Sequence, residues 1–250
     1  MRPAGERRRT VTTGLLWLAA IVLLGSCVQW LTGMGFALVA VPGLILLLGP
    51  AQGVVLANCA SGVICAVGLT RGRREVRWAA MVPLCMASVC TVPLGAWTTR
   101  HLPEPVLLIV MGGLVTAAVL LILRGVRAPA LRGRAGAVGA GAAGGFMNAA
   151  AGVGGPPVSL YALNAGWTVR EFVPNAQLYG LFVNIFSVWA NGVPRLSGAQ
   201  GVGVTVAMAA GMLIGRALAD RTPETRARTL VLALALGGGV TTLLKGVLEL

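Results

Sequence analysis

The chain has 250 residues, of which 56% are hydrophobic and only 11% charged, and its mean hydropathy is +0.84. Soluble domains carry about 25% charged residues, so this composition excludes a soluble globular protein and marks an integral membrane protein. The net charge of +13 does not mark a nucleic-acid binder: the arginines fall between apolar stretches, not along one face, and no basic–aromatic motif accompanies them, which fits the basic bias of cytoplasmic membrane loops.

Residues 1–13 carry Arg7, Arg8 and Arg9 without an apolar run and read as a short cytoplasmic tail. The segment from Gly14 to Trp30 follows, and its Leu24-Gly25-Ser26-Cys27 imitates a lipoprotein-type cleavage site; the expectation is a retained first helix, because an internal repeat requires it. Thr32-Gly33-Met34-Gly35-Phe36 then interrupts the apolar run, which resumes through Pro42 to Leu48 and ends at Gly49-Pro50. A span from Gln52 to Leu69 carries Asn58 and Ser61. A basic loop with Arg71, Arg73, Arg74 and Arg77 leads to a span from Trp78 to Trp97, where Pro83 and Pro93 predict kinks. After a turn with Arg100, His101 and Glu104, Val106 to Leu123 spans again. The basic loop 124–134, with Arg124, Arg127, Arg132 and Arg134, separates a first half, 14–123, from a second, 135–250.

The second half opens with a Gly/Ala-rich helix, Ala135 to Ala151, and then meets its strongest irregularity. Within six positions stand Gly152, Gly154, Gly155, Pro156 and Pro157. Gly costs about 1 kcal/mol and Pro about 3 kcal/mol in a helix interior, so a helix stops near Gly152 and a new one starts at Pro156 or Pro157 and runs to Asn164. Broken backbone at membrane depth must be buried in protein or line a wet cavity, and such breaks form substrate sites in transporters. Trp167 to Pro174 connects to a span from Asn175 to Trp189 that carries Gln177, Tyr179 and Asn184. Spans from Val202 to Leu218 and Leu230 to Leu248 close the chain, joined by a mixed-charge turn, 220–228. The five cysteines, Cys27, Cys59, Cys65, Cys85 and Cys90, lie in apolar segments without a CxxC pair and read as small buried hydrophobes.

At an offset of 120 the halves match at their breaks and turns: Gly35 falls on Gly155, Gly72 on Gly192, Gly95 on Gly215, and Pro103-Glu104 on Pro223-Glu224. Gln29 and Asn148 each stand four residues before a break glycine, Gly33 and Gly152, on the same helix face. Placing the basic stretches 7–9, 71–77 and 124–134 together in the cytoplasm gives 14–49 one net crossing, eight crossings in all and parallel halves. That topology leaves the basic turn 220–228 outside. If each broken piece spans fully, the count becomes ten with inverted halves.

Gly33-Met34-Gly35-Phe36 with Pro42, Gly152-Val153-Gly154-Gly155-Pro156-Pro157 with Tyr161, and the segment from Asn175 to Trp189 together resemble the TauE/SafE family, over residues 14–248. Met34 and Phe36 stand where that family often has Gly. The resemblance implies two related four-helix halves and export of small sulfur-containing anions.

An anion needs no basic side chain here. Helix N-termini carry unpaired N–H groups and about half a positive charge, and small residues let a ligand approach the backbone. The expected substrate-binding residues are Gly33, Gly35, Asn58, Asn148, Gly152, Gly154, Gly155, Pro156, Pro157, Ser159, Tyr161 and Gln177, with N–H groups from Gly154, Gly155, Val158 and Ser159 and a further side-chain donor in Asn175. All seven acids lie in tails, loops or turns, which suits export without a proton partner. No nucleophile–base pair or pair of acids supports an intramembrane enzyme. The expectation is therefore an all-α polytopic membrane protein of about eight transmembrane helices in two repeated halves, each with a Gly/Pro-broken first helix. Its partners are a small anionic substrate and the lipid bilayer, with no nucleic acid, cofactor or metal. It sits in the plasma membrane with a cytoplasmic N-terminus. A carrier of a cation or neutral solute, or a non-transporting accessory protein, are the alternatives.

Overall fold

The computed structural model describes residues 4–33, 35–125, 132–219 and 224–250; Met34, Arg127 and Pro223, named above, lie outside them. The described residues form ten α-helices: α1 (Ala4–Thr32), α2 (Phe36–Leu48), α3 (Pro50–Gly72), α4 (Trp78–His101), α5 (Glu104–Leu123), α6 (Gly133–Ala151), α7 (Gly155–Asn164), α8 (Val169–Asn191), α9 (Gly198–Ala219) and α10 (Glu224–Leu248). The stretches 13–32, 50–70, 78–101, 104–123 and 198–218 are long and apolar enough to cross a membrane; the apolar parts of α2 and α10 are shorter. The chain is thus a polytopic membrane protein. Helix α1 begins at Ala4, so the stretch expected to be a separate tail continues the first helix.

The single residue Gly49, at φ +82°, joins α2 to α3. Helix α2 turns back along α1: Phe36 and Ala40 meet Gly25, and Gly43 meets Ile21. Residues 14–49 therefore form a helical hairpin, not the one net crossing expected. The cause is tertiary. Gly25 and Gly43 have no side chain, so α1 and α2 can close on each other along their lengths.

The same kind of contact marks the other helix directions. Helices α4 and α6 run parallel, with Gly141 against Leu84, Gly145 against Ser88 and Gly95 against Ala149. Helices α1 and α9 also run parallel, through Gly211 on Leu23 and Gly215 on Cys27. By contrast α3 and α8 are antiparallel, with Cys65 at Gly180, Gly68 at Gln177 and Gly72 at Pro174, as are α5 and α10, with Gly112 at Gly239 and Gly246 at Ile109. Lipid tails are as apolar as Leu, so packing between such helices rests on close approach at small residues more than on hydrophobic burial.

Directions therefore alternate from α1 to α10. The loop 73–77, the end of α5 with the start of α6, the α7–α8 connection and the end of α9 with the start of α10 share one face, here the basic face. The start of α1 lies on the opposite face, so the basic stretch 7–9 is not on the side of 73–77, Arg124 and Arg132, and the start of α10 at Glu224 joins those instead.

Helix bounds correspond between the halves. Helices α1 and α6 end at Thr32 and Ala151, α2 and α7 begin at Phe36 and Gly155, and α3 and α8 span Pro50–Gly72 and Val169–Asn191, each 119 residues apart. The spacing becomes 120 at the starts of α4 and α9, because the α8–α9 loop is one residue longer than the α3–α4 loop. At the breaks, then, Gly35 corresponds to Gly154 and not to Gly155.

Candidate functional site

Both breaks are built from the same parts. Gly33, at φ +75°, ends α1 and donates its N–H to the Gln29 carbonyl at 2.8 Å. Gly152, at φ +69°, ends α6 and donates to the Asn148 carbonyl at 2.9 Å. These left-handed caps suit glycine, which has no Cβ to clash. The residue receiving each cap bond also turns its side-chain amide into the break. Gln29 Oε1 accepts from the Phe36 N–H at 3.3 Å, and Asn148 Oδ1 accepts from the Gly154 N–H at 3.2 Å. One amide thus closes the end of one helix and caps the start of the next.

The breaks are tied to the rest of the bundle by further amides. Asn58 Nδ2 donates to the Asn148 carbonyl at 3.3 Å, and Gln177 Nε2 donates to the Gly33 carbonyl at 3.1 Å. Asn58 and Gln177 are 119 residues apart, and each bonds to the broken helix of the other half. Gln29 also donates to Cys65 Sγ at 3.2 Å and accepts from Ser61 Oγ at 3.3 Å. Asn148 Nδ2 faces Asn184 Oδ1 at 3.0 Å and Ser187 Oγ at 2.9 Å. All of these side chains are buried, and Gln177 Oε1 has no partner among the described residues.

Between the two breaks lies a cavity of about 50 Å³, room for a few water molecules. Gln29 and Gly35 reach it from the first break, and Asn148, Gly154, Gly155, Pro156 and Ser159 from the second; Ser61 and Cys65 of α3 and Tyr179, Gly180 and Asn184 of α8 complete its polar wall. None of its lining residues is Asp, Glu, Lys, Arg or His. Buried charge is costly in a low-dielectric interior, whereas amides and hydroxyls can be buried there when hydrogen-bonded, as most of these are.

Of the twelve residues singled out from the sequence, Gly35, Asn148, Gly154, Gly155, Pro156 and Ser159 line the cavity. Gly33, Asn58, Gly152 and Gln177 instead hold the breaks from outside it. Pro157 is half-buried in the first turn of α7, and Tyr161 packs edge-on against Trp167, 5.6 Å between ring centres. The expected N–H donors also sort themselves. Pro156 and Pro157 have no N–H, Asn148 takes that of Gly154, and helix bonding uses those of Val158 and Ser159 one turn back, so the Gly155 N–H is the one α7 leaves for the cavity. The Ser159 hydroxyl donates to the Gly155 carbonyl at 3.2 Å. Asn175 lies away from the cavity, in the α3–α4 loop contact.

Cys65, expected only as a small buried hydrophobe, and Ser61, Tyr179, Gly180 and Asn184, absent from the expected binding residues, also line the cavity. A signal existed: Ser61 and Cys65 share a face at i, i+4, and at an offset of 119 Gln29 pairs with Asn148, Asn58 with Gln177 and Cys65 with Asn184.

The family model for the sulfite exporter TauE/SafE matches residues 18–242 of the chain. No curated protein and no solved structure matches it.

Proposed function

The chain belongs to the TauE/SafE family of membrane transporters, and from that premise we propose that it is a secondary transporter exporting a small sulfur-containing anion, sulfite or a small organosulfonate, through the cavity at the two helix breaks. The carrying observation is that cavity: uncharged, walled by amides and hydroxyls, and open to the N-terminal end of α7 at Gly155. A helix N-terminus stabilises an anion without a fixed counter-charge that would trap it.

The same geometry supports one crossing pattern. Ten crossings in two inverted halves, 14–123 and 135–250, set the two breaks toward opposite faces, Gly33 beside Val173 and Gly152 beside Val54, with the cavity between them near mid-membrane, where transporters with broken helices bind their substrates. The basic face lies in the cytoplasm of a plasma-membrane protein by the positive-inside bias, and the N-terminus then lies outside. Outward movement of one negative charge down an inside-negative potential releases about 2.3 kcal/mol per 100 mV. That supports about a 40-fold concentration ratio at 1.4 kcal/mol per decade, so export needs no proton partner.

Current across proteoliposomes tests this directly, with sulfite, sulfate, methanesulfonate and chloride offered in turn and Gly155→Leu as the control. A current for a sulfur oxyanion, absent in the control while that protein still melts cooperatively, is the expected result. Silence for every anion from folded protein, or a flux that follows only a proton gradient, defeats the proposal.

A further inference from the structure

On the basic face the α3–α4 loop of the first half meets the start of α8 from the second through two reciprocal ion pairs. Arg77 Nη2 lies 2.7 Å from Glu171 Oε1, and Arg170 Nη2 lies 3.2 Å from Glu75 Oε1. Asn175 knits the two segments together: its Oδ1 accepts from the Arg77 N–H at 2.8 Å, and its Nδ2 donates to the Glu171 carbonyl at 2.6 Å. The Arg77 guanidinium also sits 5.8 Å over the Trp167 ring, which in turn meets Tyr161. This cluster adjoins the cavity. Ala176, next to Asn175, and Ser159, two residues before Tyr161, both line it.

The equivalent contact on the opposite face is neutral. Gln52 stands 119 residues before Glu171 and accepts the Arg195 backbone N–H at 2.8 Å. Among the described residues the charged lock therefore belongs to one face only.

We infer that Arg77 is an anion-binding subsite at the basic-face end of the transport path, held by the Glu171 carboxylate as a tethered stand-in, and that a small oxyanion taking Glu171's place on Arg77 unlatches the two halves on that face. A guanidinium binds carboxylate and sulfur oxyanions through the same paired N–H donors, so the two compete for one position. Arg77 and Glu171 are 47% and 32% exposed, and a pair this accessible to water is weak and exchangeable. Arg77 does not depend on Glu171 for its place: Asn175 fixes its backbone and Trp167 supports its head group. The cavity itself has no basic side chain, so the charge that draws an anion toward it stands outside, at its rim. The identity of the oxyanion rests on the transport reading above; the latch does not.

Cys65 is a native reporter inside the cavity. In full-length protein with Cys27, Cys59, Cys85 and Cys90 replaced by Ala, its modification by the membrane-impermeant 2-sulfonatoethyl methanethiosulfonate is timed from the basic face, with and without methanesulfonate. Glu171→Gln should speed modification about three- to fivefold, the ratio that losing one exposed ion pair supplies. Gln at this position can still close the capping box with Thr168, so the start of α8 is kept. Methanesulfonate should speed the parent by a similar factor and have no effect on Arg77→Gln. The charge-swapped pair, Arg77→Glu with Glu171→Arg, should return the slow rate, which a merely misfolded α8 cannot do. An unchanged rate in Glu171→Gln, or acceleration by methanesulfonate that survives Arg77→Gln, overturns the inference. Anion flux without the reporter response removes the subsite and leaves the transport reading standing; the response without flux does the reverse.

Discussion

Two glycines, two residues apart on α6, should respond to the same substitution with opposite sign. A Cβ at Gly141 would fall on the Leu84 carbonyl oxygen, 2.8 Å from its carbonyl carbon and 2.9 Å from its Cα. Every obstacle is backbone, so no rotamer change relieves it and α4 and α6 must part. Overpacking of this kind costs about 3 kcal/mol. A Cβ at Gly139 meets nothing within 4 Å. There Ala should stabilise, by about 1 kcal/mol, through helix propensity alone. The difference of about 4 kcal/mol corresponds to about 10 °C in Tm for a chain of this length. Thermal unfolding of purified Gly141→Ala and Gly139→Ala in one detergent measures it, and the flux assay reads the consequence for the site, because α6 carries Asn148. Equal Tm values for the two variants, or a Gly141→Ala protein as stable as the parent, would refute glycine-limited packing as the device that sets the bundle.

Asn148→Leu should abolish flux and lower stability by about 2–6 kcal/mol, because the Gly154 N–H and Asn184 Oδ1 lose a buried partner worth about 1–3 kcal/mol each; unfolding together with substrate flux checks it, and a fully active variant would remove the hub. Gly180→Ala places a methyl 2.6 Å from Cys65 Sγ at the cavity wall, so it should depress flux, and adding Cys65→Ala should restore it; additive losses in that double-mutant cycle would refute the shared wall. Gly152→Ala should cost more than Gly166→Ala. Both sit at φ +69°, with a strain of about 1 kcal/mol, but only Gly152 also meets Val41, at 2.9 Å, whereas Gly166 has nothing within 4 Å; equal Tm losses would contradict the packing. Finally, the Thr168 backbone N–H and hydroxyl, and then Arg77, hold the Glu171 carboxyl below its ordinary value of 4.5. A lowered folded pKa means that its contribution is complete above that ordinary value and lost as pH falls through the lower folded one. With Arg77 and the Arg170–Glu75 pair facing it, the Tm gap between parent and Glu171→Gln should stay flat through neutral pH and close only in strong acid; a gap that titrates near neutrality would contradict this.

Some of this molecule was legible in its residues taken locally. Too few charges and long apolar runs determine the membrane class, since hydropathy sums over a segment whatever its surroundings. Gly33, Gly152 and the pair Pro156-Pro157 determine where helices stop, because a missing Cβ or a missing N–H acts on the residue's own backbone. The amides one turn before each break, Gln29 and Asn148, were also visible as partners of those breaks.

The direction of α2 was not legible. Helices between lipid and protein are apolar on every side, so α2 carries no face that says whether it continues across the membrane or folds back. Only the meeting of Gly25 with Phe36 and Ala40 decides that. That reversal in turn places the start of α1 opposite the basic face, against the charge pattern read along the chain. The one-residue slip in the repeat was likewise hidden, because the extra residue sits in the α8–α9 loop, downstream of the breaks it misaligns. Cys65 and Asn184 became a cavity wall through the antiparallel crossing of α3 and α8, a contact between residues far apart in sequence that no local pattern encodes.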